Sequence, residues 1–340
     1  MFKPNHVIFE KEALEYETGQ ALWEKFQQTE KCEVEVIEKN RVVIKGQDAK
    51  EKYEKAKRTL VVAVRKDLDF QSCKPSAHYQ LPLVTGCMGM CEYCYLNTRL
   101  GNSNYIKIYV NIEEILKKAK QYIVNRQPEK TIFEGAATSD PIPIEDYTHN
   151  LAKAIEFFGK EPEARFRFVT KYDNIESLLN LNHEGHTEIR FSLNTERVIK
   201  DYEHRTASSK KRIEALGKVA AAGYPVGVLI APVFLYENWK EEYLKLLYQL
   251  KNELYERKVT TSVSFEIITH RYTKTAKNRI LEFYPDTTLP MEEEKRKFKY
   301  GQFGYGKYVY TQEELEEVKK FFYENIDRIF ENTGNILYVI

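Results

Sequence analysis

The chain has little of what marks the fibrous, secreted or disordered classes. Its 340 residues include 15 glycines, 11 prolines and 5 cysteines, too few for a collagen repeat, a low-complexity tail or a disulfide scaffold. Neither sign of charge dominates: 52 basic side chains face 51 acidic ones, and a net charge of +1 excludes a histone-like or basic-tail protein. A local basic groove stays open, because a ligand feels the surface beside it rather than the sum. A long apolar run is missing too. The least polar stretch, Val219 to Tyr236, is interrupted by Gly223, Pro225 and Pro232, so a membrane span is not expected. Read as a helix end, a turn and a buried strand, it suits a parallel sheet. The first ten residues carry charges where an export signal needs a continuous apolar stretch. Together with an odd cysteine count, this points to a reducing cytoplasm.

What is present is an ordinary globular composition, 42% hydrophobic, on a length that suits one large domain or two common ones. Residues 1–58 are charged and helix-prone, with a β-type stretch at Val34 to Ile44, and read as an N-terminal extension. From about residue 59 to 284 short apolar runs alternate with amphipathic ones. The strand candidates are Leu81 to Val84, Thr131 to Glu134, Phe166 to Thr170, Glu188 to Leu193, Val226 to Ala231 and Ser262 to Ile268. The helix candidates are Ile112 to Val124, Ile144 to Phe158, Asn174 to Leu181, Ser208 to Ala222 and Asn238 to Leu254, the last opened by Asn238 as an N-cap. Regular alternation of this kind implies βα units and a parallel sheet. Six units are too few for a closed eight-stranded barrel, so the expected α/β fold is a partial (β/α)6 barrel with ligands at the carboxyl ends of its strands. Residues 285–340 differ. Phe298 to Tyr310 alternates aromatic, Gly and Lys residues like a hairpin, and Thr311-Gln-Glu-Glu314 has the spacing of a capping box ahead of a helix to Glu331.

The sharpest feature is Cys87-Met-Gly-Met-Cys91-Glu-Tyr-Cys94. Thiolates bind iron and zinc strongly. Three of them leave a fourth coordination position open, which a structural zinc site would close. The competing reading is a zinc site completed by His183 or Cys73. The spacing of three residues and then two, with Tyr93 before the last cysteine, resembles the radical S-adenosylmethionine signature. That resemblance implies a [4Fe-4S] cluster whose open iron chelates S-adenosyl-L-methionine, which is cleaved to a 5′-deoxyadenosyl radical.

Further strings narrow the resemblance. Lys74-Pro-Ser-Ala77, Pro82-Leu-Val-Thr-Gly86-Cys87-Met-Gly, Cys94-Tyr-Leu-Asn97, Arg165-Phe-Arg-Phe-Val-Thr-Lys171-Tyr172, Phe265-Glu-Ile-Ile-Thr-His270-Arg271 and Gly306-Lys-Tyr-Val-Tyr310 are similar to the spore photoproduct lyase family along essentially the whole chain. The resemblance implies reversal of the DNA lesion 5-thyminyl-5,6-dihydrothymine by hydrogen abstraction at C6. It also implies a hairpin that helps open the duplex, since an aromatic ring can replace a lost stacking neighbour. By motif position, Tyr93, Ser139, Lys171, Ser192 and Ala231 would lie against adenosylmethionine, and Asn194 and Glu134 are weaker strand-end candidates for the same role. Tyr95, just after the last cysteine, would relay the radical or position the lesion. Arg271, Gln302, Phe303 and Lys307 would meet DNA together with Tyr95 and Ser139, inside a wider basic cluster running from His270 to Lys307. UV-damaged DNA, an external electron donor such as flavodoxin or ferredoxin, and a monomer are the implied partners and state.

Two departures stand out. In Phe133-Glu-Gly-Ala-Ala137-Thr-Ser-Asp140 an alanine, Ala137, occupies the position of the family's hydrogen-donor cysteine. Cys32 and Cys73 lie outside the barrel motifs. In Gly301-Gln302-Phe303-Gly304 the family's Arg-Tyr is absent, and with it a guanidinium and a phenol hydroxyl. Ala137 is therefore either an introduced substitution or the mark of a diverged relative with another terminal step or substrate, and the hairpin change favours divergence. A zinc-containing DNA-binding module is the non-catalytic alternative.

Overall fold

The computed structural model describes residues 2–38, 41–101, 103–300, 304 and 306–340, so Gln302 and Phe303 lie outside the described residues. The chain divides into two compact units. The first comprises Met1–Gly89, Arg99–Thr170 and Asn174–Glu188; the second comprises Met90–Thr98, Lys171–Asp173 and Ile189–Ile340.

In the first unit a five-stranded sheet gathers the N-terminal residues. His6–Glu10 lies between Glu33–Ile37 and Thr59–Ala63, parallel to both, and Thr59–Ala63 continues to Ile106–Tyr109 and Val84–Thr85. The N-terminal stretch expected to be mainly helical thus supplies a central strand, whose Val7, Ile8 and Phe9 are buried. The expected strand at Leu81 to Val84 is displaced. Pro82 has no N–H to offer a ladder, and the pairing moves to Ala77–Gln80, which runs parallel to Thr131–Glu134. Thr131–Glu134 also pairs in parallel with Ala164–Thr170. Phe133, Phe158 and Phe166 are fully buried, and the Phe158 ring centroid lies 5.2 Å from that of Phe133 and 5.0 Å from that of Phe166. Burial of each such ring stabilises the fold by roughly 1.5–3 kcal/mol.

The expected helix at Ile144 to Phe158 is two pieces, Glu145–Thr148 and Asn150–Gly159, parted by His149 at φ 52°. The Glu145 carboxylate accounts for the break: its two oxygens accept from Leu151 N and Ala152 N, both at 2.9 Å, and so cap the second piece. The expected helix at Asn174 to Leu181 is reduced to a single turn, Glu176–Leu178. Eight residues hold a helix poorly without packing along a full face, and here Ile175 and Leu178 bury themselves from the turn alone.

In the second unit the strand Thr187–Leu193 from Ile189 onward, Val226–Val233, Val263–Thr269 and Gly334–Val339 run parallel in that order. Helices Ser209–Ala221, Trp239–Glu256 and Gln312–Phe330 alternate with them. Ser208 caps the first by accepting from Lys211 N, and Thr311 with Glu314 forms the expected capping box on the last. Asn238 does not cap by side chain; it takes the left-handed conformation, φ 64°, ahead of Trp239, which asparagine tolerates better than most residues. Lys297–Tyr300 and Gly306–Val309 form the expected antiparallel hairpin. Among the described residues, no helix is long and apolar enough to cross a membrane.

Candidate active site

In the first unit, Gly86 and the loop after Thr131–Glu134 bring sequence-expected residues together. Gly86 N donates to Thr138 O at 2.9 Å, and Gly86 pairs with Ser139 in an isolated parallel bridge. Gly86 has φ +84°, and a Cβ there would lie 2.1 Å from Tyr105 O, so only glycine fits. The adjoining Cys87 is fixed from two sides: Lys57, fully buried, donates to its carbonyl at 2.8 Å, and Gly89 N donates to its Sγ at 3.3 Å. Lys57 lay in a stretch read as extension, and nothing local in the sequence marks it.

Ser139 is nearly buried, and its Oγ has no hydrogen-bond partner among the described residues. Asp140 Oδ1 accepts from Thr170 Oγ1 at 2.9 Å, which ties the loop to the next strand. Glu134 sits with Arg167 (Nε to Oε2, 3.4 Å) and Ser76 (Oγ to Oε2, 3.5 Å), and Arg167 also donates to Ser76. Ala137 lines a cavity of about 280 Å³ with Thr138, Thr85, Tyr109, Arg65 and Arg99.

In the second unit, Lys171, Ser192 and Tyr93 converge. Lys171 Nζ donates to Ser192 Oγ at 2.7 Å and to Tyr93 Oη at 3.2 Å. They meet on a residue the sequence reading missed, Glu203, whose Oε1 accepts from Lys171 at 2.9 Å and from the Tyr93 hydroxyl. Arg212 Nη2 faces the other oxygen at 2.6 Å, and both side chains of that ion pair are fully buried. Burial pushes the Glu203 carboxyl up, but Arg212 and then Lys171 outweigh it and hold it at about 2. Burial, and then the Glu203 charge, push the Tyr93 phenol well above its usual range. This is a fixed anion surrounded by donors, on the rim of a parallel sheet.

The other candidates fall differently. Asn194 is fully buried and bonded to Pro232 O, Tyr243 Oη and Thr195 N, an internal brace at the strand end. Ala231 is half-buried on Val226–Val233. Cys91 is buried and pairs through its backbone with Glu203, Cys94 N donates to Cys91 O at 3.1 Å, and Tyr95 is 56% exposed. No cysteine is in a disulfide. Among the described residues, no three His, Cys, Asp or Glu side chains are gathered as a metal site; Cys87 belongs to the first unit, Cys91 and Cys94 to the second.

Part of the basic cluster turns inward. His270 is fully buried, and burial, then Arg296, push its pKa down to about 3, so it carries no charge at neutral pH. Arg296 packs 3.8 Å from the Tyr310 ring and donates to His270 O, and Lys277 pairs with Glu293. Arg271, Lys297 and Lys299 are exposed, as are Phe298 and Tyr300; Lys307 is half-buried opposite Lys299.

Comparison with known proteins gives a consistent answer. Residues 2–340 match the family described as spore photoproduct lyase. The spore photoproduct lyase of Clostridium acetobutylicum is 52% identical over 335 residues, 98% of each chain. That of Bacillus subtilis (strain 168) is 45% identical over 332 residues, 97% of each. A spore photoproduct lyase complexed with dinucleoside spore photoproduct superposes with a TM-score of 0.94 at 44% identity, covering 100% of this chain and 99% of that one. A double mutant, alanine for one cysteine and cysteine for one serine, has bound AdoMet and dinucleoside spore photoproduct; its TM-score is 0.94 at 45% identity, with the same coverage. The α/β half-barrel class expected from the sequence is the class of these structures. The chain belongs to the spore photoproduct lyase family.

Proposed function

We propose that this chain is a radical adenosylmethionine lyase that reverses the thymine photoproduct of UV-damaged DNA. The observation that carries the reading is the convergence of Ser192 and Tyr93 on Lys171, with Tyr93 two residues along the chain from Cys91, in a family of which one solved mutant has bound AdoMet and dinucleoside spore photoproduct.

Cys87, Cys91 and Cys94 would hold the [4Fe-4S] cluster. The donor set fits it: three thiols within eight residues, none in a disulfide, one with its sulfur already accepting a backbone N–H, as cluster-binding loops do. With adenosylmethionine bound, the cluster supplies the hydrogen-abstracting 5′-deoxyadenosyl group, on an electron from an external donor such as flavodoxin or ferredoxin. The chain's own part is to bind and orient. Lys171 and Ser192 offer N–H and O–H donors to a carboxylate or a ribose hydroxyl. Tyr95 and the rings of Phe298 and Tyr300, all exposed, offer faces to an extruded base. Arg271, Lys297 and Lys299 offer charge to the backbone phosphates.

Ala137 carries no thiol to return a hydrogen to the product thymine, and Cys73 is our reading of the group that does so in its place. Its strand, Ser72–Cys73, pairs with Ala77–Gln80, which pairs with Thr131–Glu134 just ahead of Ala137. Ser76, in the intervening turn, bonds to Glu134 and Arg167, which ties the thiol-bearing edge to that strand end.

The test is anaerobic reconstitution followed by incubation with a lesion-bearing oligonucleotide and reductant. The expected result is about four irons and four sulfides per chain, and 5′-deoxyadenosine formed faster with lesion than without. Stoichiometric zinc without sulfide selects the non-catalytic DNA-binding alternative. Adenosylmethionine cleavage that the lesion does not stimulate selects a different substrate.

A further inference from the structure

We propose that Glu203, clamped by Arg212, is the positioning residue that pre-sets Lys171 and Tyr93 to receive adenosylmethionine. The inference rests on the reading of Lys171 as an adenosylmethionine contact.

Glu203 follows helix Glu196–Tyr202 and pairs through its backbone with Cys91. One residue thereby joins the cysteine-bearing strand to the lysine at the end of a sheet strand. Its two oxygens do different work. Oε2 meets Arg212, which also donates from Nε to Ala207 O at 2.8 Å, from Nη1 to Ser192 O at 2.9 Å and from Nη2 to Thr206 Oγ1 at 2.7 Å. Arg212 is fully buried, so it serves as an anchor.

Oε1 takes Lys171 and the Tyr93 hydroxyl. The Lys171 side chain is 19% exposed whereas that of Glu203 is 0%, so of this pair the lysine is the one that reaches out of the core. A lysine stem has four flexible carbons and loses that freedom on binding a ligand. A partner that immobilises it beforehand removes this cost from the binding step. A buried carboxylate is costly unless it is paired and hydrogen-bonded, and here the partners include the lysine. The arginine anchors one oxygen, and the other takes its donors from the lysine and the tyrosine that flank the candidate site.

The test measures the adenosylmethionine dissociation constant and the KM and kcat for lesion repair on anaerobically reconstituted enzyme. The variants are Lys171→Met, Glu203→Gln, Glu203→Asp and the double variant Lys171→Met with Glu203→Gln. Lys171→Met is expected to weaken adenosylmethionine about tenfold. Glu203→Gln should weaken it to a similar degree, with a smaller change in kcat, and the double variant should be no weaker than Lys171→Met alone. Glu203→Asp keeps the charge opposite Arg212 and shortens the reach to Lys171, so it should fall between wild type and Glu203→Gln. Wild-type affinity in Glu203→Gln, or losses that multiply in the double variant, overturn the proposal. If Glu203→Gln does not fold, wild-type affinity in Glu203→Asp overturns it equally. Wild-type affinity in Lys171→Met sinks the adenosylmethionine reading itself, a separate failure.

Discussion

Glu145 in the first unit and Glu203 in the second are both sealed from solvent, yet their surroundings hold them in different charge states. The Glu145 carboxylate accepts from the amides of Leu151 and Ala152, and burial pushes its pKa up to about 7 against their pull. Glu203 is buried as deeply, but Arg212 and Lys171 bring it down to about 2. The first is a helix cap and needs acceptor atoms more than charge. The second is a charge around which donors are arranged. Burial alone raises a carboxyl pKa, and cations placed by the fold reverse the sign. A buried carboxylate held ionised by specific cations beside other polar groups marks a candidate working site.

The largest effect that sharpens this contrast is on stability. Arg212→Met strands the Glu203 carboxylate and should cost about 3–5 kcal/mol, read from urea unfolding at pH 8. A loss under 1 kcal/mol would mean that the pair is not the anchor described. The next effect is on pH dependence. Glu145 has a folded pKa above its ordinary 4.5; its contribution is fully present below that value and is lost as pH rises to about 7. Across that window wild type should lose about 3 kcal/mol at most, and Glu145→Gln should flatten the curve. Glu203 has the opposite sign, because its folded pKa is depressed. Its contribution is present above 4.5 and is lost as pH falls towards 2.

Smaller effects concern chemistry and binding. Cys73→Ser should divert much of the product from thymine to side products, while Ala137→Cys in the same background should restore thymine; chromatographic product ratios decide. Clean thymine from Cys73→Ser removes Cys73 as donor. Smallest is Lys299→Ala, which should weaken lesion-oligonucleotide binding evenly across sequences and lower the log–log salt slope by about 1.

Much of this was legible in the sequence, for identifiable reasons. Lys171 and Ser192 end apolar β-type runs, and the parallel-sheet rule sends strand ends to one rim. The cysteines announce themselves by spacing, and Thr311 and Glu314 by the capping box. Glu203 and Arg212 were missed because Asp201-Tyr-Glu-His-Arg205 looks like a solvated charge run. One signal was available: Arg212 shares a helical face with Leu216, Val219 and Ala220, and an arginine on an apolar stripe needs a buried partner. Lys57 gave no such sign, since only tertiary packing brings it to the Cys87 carbonyl. The Asn174 to Leu181 run failed as a helix because two buried side chains satisfy its apolar period within one turn.

The most direct test of the account is an anaerobic assay of the lesion dinucleotide with adenosylmethionine and reductant, following thymine release. The account predicts that the lesion is consumed and two thymines appear for each, and that Cys91→Ala abolishes the reaction. Adenosylmethionine cleaved at the same rate with and without lesion, while the lesion survives intact, would contradict it.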